Sequence, residues 1–310
     1  MPVAEVGAEL FVPTADRQQV QVEVDRWFGG HTAEWDTVYG RADVWALIHQ
    51  QRLSRALAWV DGLGLPRGAR VLDVGCGAGL GTTALARRGL VVTATDTVSG
   101  MLERTRRQVA RAGLDDRLAL ARCDAHRLPL GSDSFALVIS LGVLPWLHSP
   151  GLALAEMARV VQPGGVVIAN VDNRWRLSDL LDPRLNPLLE RPRAALRRRL
   201  LGPRHGVRDR SHSPAEFDAL LGAAGLVSEQ QTCFGFGPFT LLGRHVVPDD
   251  VGVRLHERLQ ALADHGLPVL RATGAAYMVL ARKGVYPAVG TTPALSRSGT
   301  RTRPPSLEDS

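Results

Sequence analysis

Asp73, Gly75, Gly77 and Gly79 crowd into Val71-Leu72-Asp73-Val74-Gly75-Cys76-Gly77-Ala78-Gly79, an apolar run that breaks into glycines and then into a helical pattern. Without a Cβ the chain can turn tightly, and a ligand can lie against the backbone at the start of a helix, where unpaired N–H groups point outward. Asp96 closes the next apolar run, nineteen residues after Gly77. In a strand–turn–helix arrangement a carboxylate there can take both ribose hydroxyls of a bound nucleoside, or, read alone, can equally cap the following helix. A nicotinamide dinucleotide would want a further glycine five residues on, but Leu80 follows Gly75 at that spacing and Thr82 follows Gly77. Hydride chemistry is disfavoured on that count. Asp124 closes a third run ahead of Leu128-Pro129-Leu130 and Ser134-Phe135, and Gln162-Pro163-Gly164-Gly165 is expected to turn the chain into a fifth strand. The three cysteines, Cys76, Cys123 and Cys233, form neither a disulfide framework nor a metal-ligand cluster, so no metal is expected.

These residues need a scaffold, and the pattern of short β-rich runs alternating with amphipathic stretches provides one. Strands are expected at Arg70 to Val74, Val91 to Thr95, Arg117 to Ala121, Ala136 to Ser140, Val166 to Val171, Leu226 to Thr232 and Ala275 to Ala281. Helices are expected near Leu80 to Arg88, Ser99 to Ala112, Gly151 to Val161 and Ala215 to Ala224, the last announced by the capping sequence Ser213-Pro214-Ala215-Glu216. This is an α/β pattern, a mostly parallel sheet with helices on both faces. Three long stretches interrupt it, at 16–62, 173–212 and 234–273. The first reads as a helical N-terminal cap and the other two as cap insertions in a domain spanning 63–283, the last holding a helix from Asp249 to His265. Additions of this kind usually cover the ligand edge of an open sheet. Residues 1–15 read as a flexible start and 284–310 as a disordered tail.

The chain has 310 residues, 45% hydrophobic and 22% charged, with mean hydropathy -0.02, which is the range of globular proteins. No apolar run approaches the roughly 20 residues of a membrane span, and the start lacks the features of a secretion signal, so a cytoplasmic protein is expected. The net charge of +6 arises from 37 basic and 31 acidic residues, of which Lys283 is the single lysine. Eight arginines fall between Arg191 and Arg210, a footprint for a polyanion or a solvated helix face.

In the order and spacing of Asp73, the glycine turn, Asp96, Asp124 and the Gln162-Pro163-Gly164-Gly165 turn, the sequence resembles the class I S-adenosylmethionine-dependent methyltransferases, in particular the small-molecule group related to quinone and magnesium-protoporphyrin methyltransferases. The resemblance covers about 70–171 by motif and extends to 282 by layout. It implies a seven-stranded sheet in the order 3-2-1-4-5-7-6 with the last strand antiparallel, and S-adenosyl-L-methionine as cofactor. Gly75, Cys76, Gly77 and Gly79 would bracket the cofactor's methionine and ribose, and Asp73 would orient that loop and meet the methionine amine. Asp96 would hold the ribose hydroxyls, with Thr97 and Met101 packed at the adenine. Asp124 would accept from the adenine amine, Ala125 would donate its N–H, and Leu141 would line the pocket floor. Trp35-Asp36-x-x-Tyr39 looks like the helix whose tyrosine, here Tyr39, closes over the methionine carboxylate. Pro145-Trp146 stands where related quinone O-methyltransferases carry Glu-His, which argues against a metal-assisted version. Ser140-Leu141-Gly142-Val143 replaces the Asn/Asp-Pro-Pro-Tyr/Phe sequence of enzymes that methylate base amines.

Such a transfer is an in-line displacement at the methyl of a sulfonium, helped mostly by alignment. A hydroxyl acceptor also needs its proton removed, which suits a histidine. His148, in the loop after the fourth strand, is the first candidate for the catalytic base; His31 and His212 are weaker ones. Trp27, Phe28, Trp146, Trp175, Phe234, Phe236 and Phe239 would either line an apolar acceptor pocket or glue the cap to the sheet, with Arg174, Arg176 or the arginines beyond 190 holding an anionic group. The sequence thus favours methylation of a small, apolar or aromatic molecule at oxygen. Methylation at carbon or nitrogen, RNA methylation through Arg191 to Arg210, and a cofactor-binding protein without catalysis are the alternatives.

Overall fold

The computed structural model describes residues 17–30, 40–190 and 210–285. The N-terminal start, Tyr39 with its Trp35-Asp36 motif, His31, the arginines from 191 to 208 and the tail beyond 285 lie outside the described residues. The elements in chain order are α1 (Arg17–Gly30), α2 (Val44–Gly62), β1 (Arg70–Val74), α3 (Leu80–Arg87), β2 (Val91–Asp96), α4 (Ser99–Arg111), β3 (Leu118–Arg122) and β4 (Phe135–Ser140). There follow α5 (Pro150–Val160), β5 (Val161–Asn173), α6 (Leu177–Leu181), β6 (Ser211–His212), α7 (Pro214–Ala223), β7 (Leu226–Phe234), β8 (Thr240–Leu241), β9 (Arg244–His245), α8 (Asp249–Asp264), α9 (Pro268–Thr273) and β10 (Ala276–Lys283).

The main sheet runs β3-β2-β1-β4-β5-β10-β7, with β6 added beside β5. Counting its seven long strands in sequence, this is the expected order 3-2-1-4-5-7-6. Strands β1 to β5 pair in parallel, and β10 is antiparallel to both of its neighbours. Neighbouring side chains enter opposite cores: Leu72 and Val138 belong to the cluster under α5 and α7, whereas Val71 and Leu137 belong to the one under α2 and α3. Burial on both faces is what near-continuous apolar strands such as β4 require. Each fully buried leucine, valine or phenylalanine contributes about 1.5–3 kcal/mol of transfer free energy.

Two local features differ from the expected pattern. Gln162-Pro163-Gly164-Gly165 does not precede the fifth strand but bulges within it, because β5 already pairs at Val161 with Phe135 and resumes at Val166 with Leu137. Gly164 permits this with φ +76°. Helix α2 is more than a lid, since Ala56 and Val60 are built into the core against Val71 and Ile139. The α7 capping box forms as read, with Glu216 N–H donating to Ser213 Oγ and Ser213 N–H donating to Glu216 Oε2. Among the described residues no helix is long and apolar enough to cross a membrane.

Strand order reverses between β1 and its neighbours β2 and β4, which opens a crevice at the carboxyl ends of these strands. The loops after β1, β2, β3 and β4 all end there.

Candidate functional site

The chain leaves β1 through a turn in which Gly75, Gly77 and Gly79 have φ of +72°, +53° and +86°. The three glycines serve different ends. A Cβ on Gly75 would lie 2.3 Å from Val143 Cγ2, and one on Gly79 would lie 2.6 Å from Thr105 Cα, so these two let the turn pack against the β4 loop and against α4. A Cβ on Gly77 would meet nothing within 4 Å. It would project into open space, where a ligand needs room.

Asp96 at the tip of β2 holds this turn: its Oδ2 accepts from Gly77 N–H at 3.1 Å and its Oδ1 from Val98 N–H at 2.9 Å. Burial pushes its carboxyl above the usual range despite those bonds. Asp73, behind the turn, accepts from Thr82 Oγ1 at 2.6 Å, and burial raises its carboxyl to about 6. Two buried carboxylates with raised pKa form an environment that a cationic ligand stabilises.

A cavity of about 380 Å³ opens along this edge. Of the expected residues, Gly75, Cys76, Gly77, Asp96, Thr97, Met101, Asp124, Ala125 and Leu141 line it. Asp73 and Gly79 do not; they shape the turn from behind. Thr97 is engaged beyond the cavity as well, since its hydroxyl donates to Asp25 Oδ1 of α1 at 2.7 Å. Asp124 accepts two bonds from His126, the backbone N–H at 2.9 Å and ring Nδ1 at 2.6 Å, and chiefly the ring bond holds its carboxyl below the ordinary value.

The structure places His148 away from the lining. Its ring stacks on that of His126 with centroids 3.8 Å apart and planes at 6°. His212 is also outside the lining. Trp27, Phe28, Trp146 and Phe234 face the cavity, with Trp27 stacked on Trp146 at 5.7 Å. Trp175 does not, while Phe236 and Phe239 pack with Ala263 and Leu270 in a small separate core. Arg176 lines the cavity beside Asp172 and pairs with Asp179 at 3.1 Å; Arg174 turns away to Glu216 at 2.7 Å.

Helix α2 falls in the stretch expected to form the helical cap, but its cavity-lining residues were not singled out by the sequence. Trp45, Ile48, His49 and Arg52 line the cavity from one face of it, at i, i+3, i+4 and i+7. An apolar stripe interrupted by histidine and arginine was the available signal. His49 Nδ1 donates to Trp45 carbonyl oxygen at 2.9 Å, which leaves Nε2 as the basic nitrogen, and burial with the nearby Arg52 lowers its pKa to about 3. The Arg52 guanidinium lies against Gly142, where an added Cβ would be 2.5 Å from Nη1, and its buried Nε has no hydrogen-bond partner among the described residues.

Residues 72–169 match the protein family described as methyltransferase domain. Methyltransferase GfsG of Streptomyces halstedii is 36% identical over 120 residues, covering 38% of this chain and 43% of that protein. A ubiquinone biosynthesis O-methyltransferase of Paracidovorax citrulli is 36% identical over 121 residues, covering 38% of this chain and 50% of its own length. The chain therefore spans about half the length of the curated relatives it matches. Among solved structures, magnesium protoporphyrin IX methyltransferase of Synechocystis with bound SAH superposes with a TM-score of 0.58 at 16% identity, over 86% of this chain and 100% of that one. The [4+2]-cyclase SpnF gives 0.56 at 19% identity, over 90% and 100%. At these identities the likeness is one of fold, and the two names make plain that this fold hosts more than one chemistry.

Proposed function

We propose, from the class I S-adenosylmethionine-dependent methyltransferase domain that residues 72–169 carry, that the protein transfers a methyl group from S-adenosyl-L-methionine to a small, ring-bearing acceptor at oxygen. The observation that carries this reading is the convergence of Asp96, Asp124 and the open side of Gly77 on one cavity. When bound, the cofactor supplies an electrophilic methyl on a positively charged sulfur. Ala125 and Met101 would flank its base, Asp96 would accept from the ribose, and Gly75 to Gly77 would lie along its amino-acid stem. Arg52, with a buried nitrogen lacking a partner among the described residues, would take the carboxylate.

The acceptor would occupy the other end, among Trp45, His49, Asp172, Arg176, Phe234 and Pro238, which joins apolar walls to a few polar groups. That composition favours a ring-bearing molecule with a polar substituent over a sugar. For a hydroxyl acceptor, the proton-accepting histidine would be His49, whose Nε2 is the basic nitrogen, in place of His148, which stacks behind the wall. Burial, the larger cause of the lowered His49 pKa, would persist in the filled site, whereas pairing of Arg52 with the cofactor carboxylate would offset the lesser one, the nearby positive charge.

Isothermal titration of S-adenosylhomocysteine tests the cofactor reading directly. Wild type should bind, and Asp96→Ala should bind at least about tenfold more weakly, as expected when hydrogen bonds to a charged group are lost. Equal affinity in the two proteins would overturn the assignment. Transfer of labelled methyl to a panel of phenols and amines then separates oxygen from nitrogen acceptors.

A further inference from the structure

Behind Asp124 lies a histidine that the cofactor reading does not use. His126 is outside the cavity lining, its side chain 8% exposed. Its ring Nδ1 is 2.6 Å from Asp124 Oδ1. Because a carboxylate oxygen accepts, Nδ1 carries the hydrogen, and Nε2 then presents a lone pair, which accepts from Ser149 N–H at 3.3 Å. Ser149 precedes α5 as its N-cap residue, so the ring bridges the loop after β3 to the loop after β4.

An aspartate whose Oδ1 accepts from the backbone N–H two residues on makes an ordinary turn, and Asp124 does so with His126 N–H at 2.9 Å. That bond needs no imidazole. The ring adds a second bond to the same oxygen, which restricts rotation about the carboxyl and leaves Oδ2 outside both bonds. Its own orientation is fixed in turn by Ser149 N–H and by the parallel His148 ring 3.8 Å away. The ring bond is also the first cause holding the Asp124 carboxyl in its ionised, accepting form.

We propose that His126 is the positioning residue for nucleobase recognition, locking Asp124 so that Oδ2 accepts from the exocyclic amine of a 6-aminopurine and repels the carbonyl of a 6-oxopurine. This rests on the reading of Asp124 as the residue that meets the adenine. A site built to hold one hydrogen-bonding group rejects the analogue that lacks it, because the partner that the ligand covers, here the 40% exposed Asp124 side chain, is then left unsatisfied. Discrimination of that kind depends on the carboxylate being held still.

The test is the ratio of affinities for S-adenosylhomocysteine and S-inosylhomocysteine, which differ in the 6-substituent and, with it, in N1, an acceptor in the first and an N–H donor in the second, measured by titration calorimetry. Wild type should prefer the adenosyl compound by about a hundredfold. His126→Phe keeps a ring to stack on His148 and removes both nitrogens; the ratio should fall at least tenfold, whereas a merely structural loss would weaken both ligands alike. His126→Gln, which retains a donor and an acceptor, should recover part of the ratio and serves as the measurement if the phenylalanine variant does not fold. A wild-type ratio in both His126 variants, with the ratio lost in Asp124→Ala, would overturn the role of His126 and leave the Asp124 reading standing. A ratio unchanged in Asp124→Ala as well would overturn both.

Discussion

Asp73 stands on buried ground: its carboxyl is raised to about 6, first by burial and then by the charge of Asp96, against the relief that Thr82 gives. The unfolded chain ionises this group near 3.8, so between that pH and about 6 the native state binds the extra proton. Stability contributed by the protonated form is complete below 3.8 and is lost as the pH rises through 6, up to about 3 kcal/mol. At pH 7.5 the unliganded protein therefore holds an ionised carboxylate at a cost, which a cationic ligand over the turn would offset. Asp73→Asn is expected to melt several degrees above wild type at pH 7.5 without ligand, with the gap closing near pH 4, and to bind S-adenosylhomocysteine more weakly. Thermal melts across that range check it, and a gap independent of pH would refute the linkage.

What the sequence made legible at the scale of elements was whatever repeats with a period. Strands β1 to β5 and helices α3, α4, α5 and α7 lie within a few residues of their expected places, because alternation and capping are local signals. Gln162 to Gly165 was read as a turn and is a bulge, since only pairing with β4 decides whether such glycines end a strand or interrupt it. Asp96 and Asp124 end strands, which makes their place at the cavity legible; that Gly79 packs on Thr105 and that Asp73, expected both to orient the loop and to meet the ligand, lies behind the turn against Thr82 needs the folded chain. Helix α2 lies in the expected helical cap, but the place of its side chains in the site is not legible, since its stripe reads as ordinary amphipathic packing and a stripe does not say which end faces a cavity. Its residues Arg52 and His49, one turn apart, are expected to separate the two halves of the site. Arg52→Met should weaken S-adenosylhomocysteine binding about tenfold or more. His49→Gln should leave that affinity unchanged while lowering turnover of a hydroxylated acceptor by about 10²-fold or more. Calorimetry beside single-turnover rates measures both, and a parallel loss of cofactor affinity in the two variants would contradict the division.

The cap makes the molecule more than its sheet, and one carboxylate gathers bonds from both of its insertions. Asp182, fully buried after α6, accepts from Arg184 N–H at 2.8 Å, Thr240 Oγ1 at 2.6 Å, Leu242 N–H at 3.0 Å and Gly243 N–H at 2.8 Å. The β8–β9 hairpin it receives pairs only two residues on each strand, too few to stand alone. Asp182 therefore supplies the order that the hairpin lacks, and it ties the chain beyond Phe234 and Pro238 to the chain beyond Asp172 and Arg176, the cavity-lining residues at the proposed acceptor end. Asp182→Ala would leave three donors of the hairpin without their acceptor, each costing about 1–3 kcal/mol unless the hairpin opens to water. Opening is the cheaper outcome, since Leu241 and Leu242 are already exposed and little apolar burial is lost. Faster amide exchange confined to 240–245 and a KM for the acceptor raised about tenfold are expected, with S-adenosylhomocysteine affinity within twofold of wild type because the β1–β4 edge is untouched. If cofactor affinity instead fell as far as acceptor affinity, the cap would be shaping the whole cavity rather than its acceptor end, and the separation of the two sites along the sheet edge would have to be redrawn.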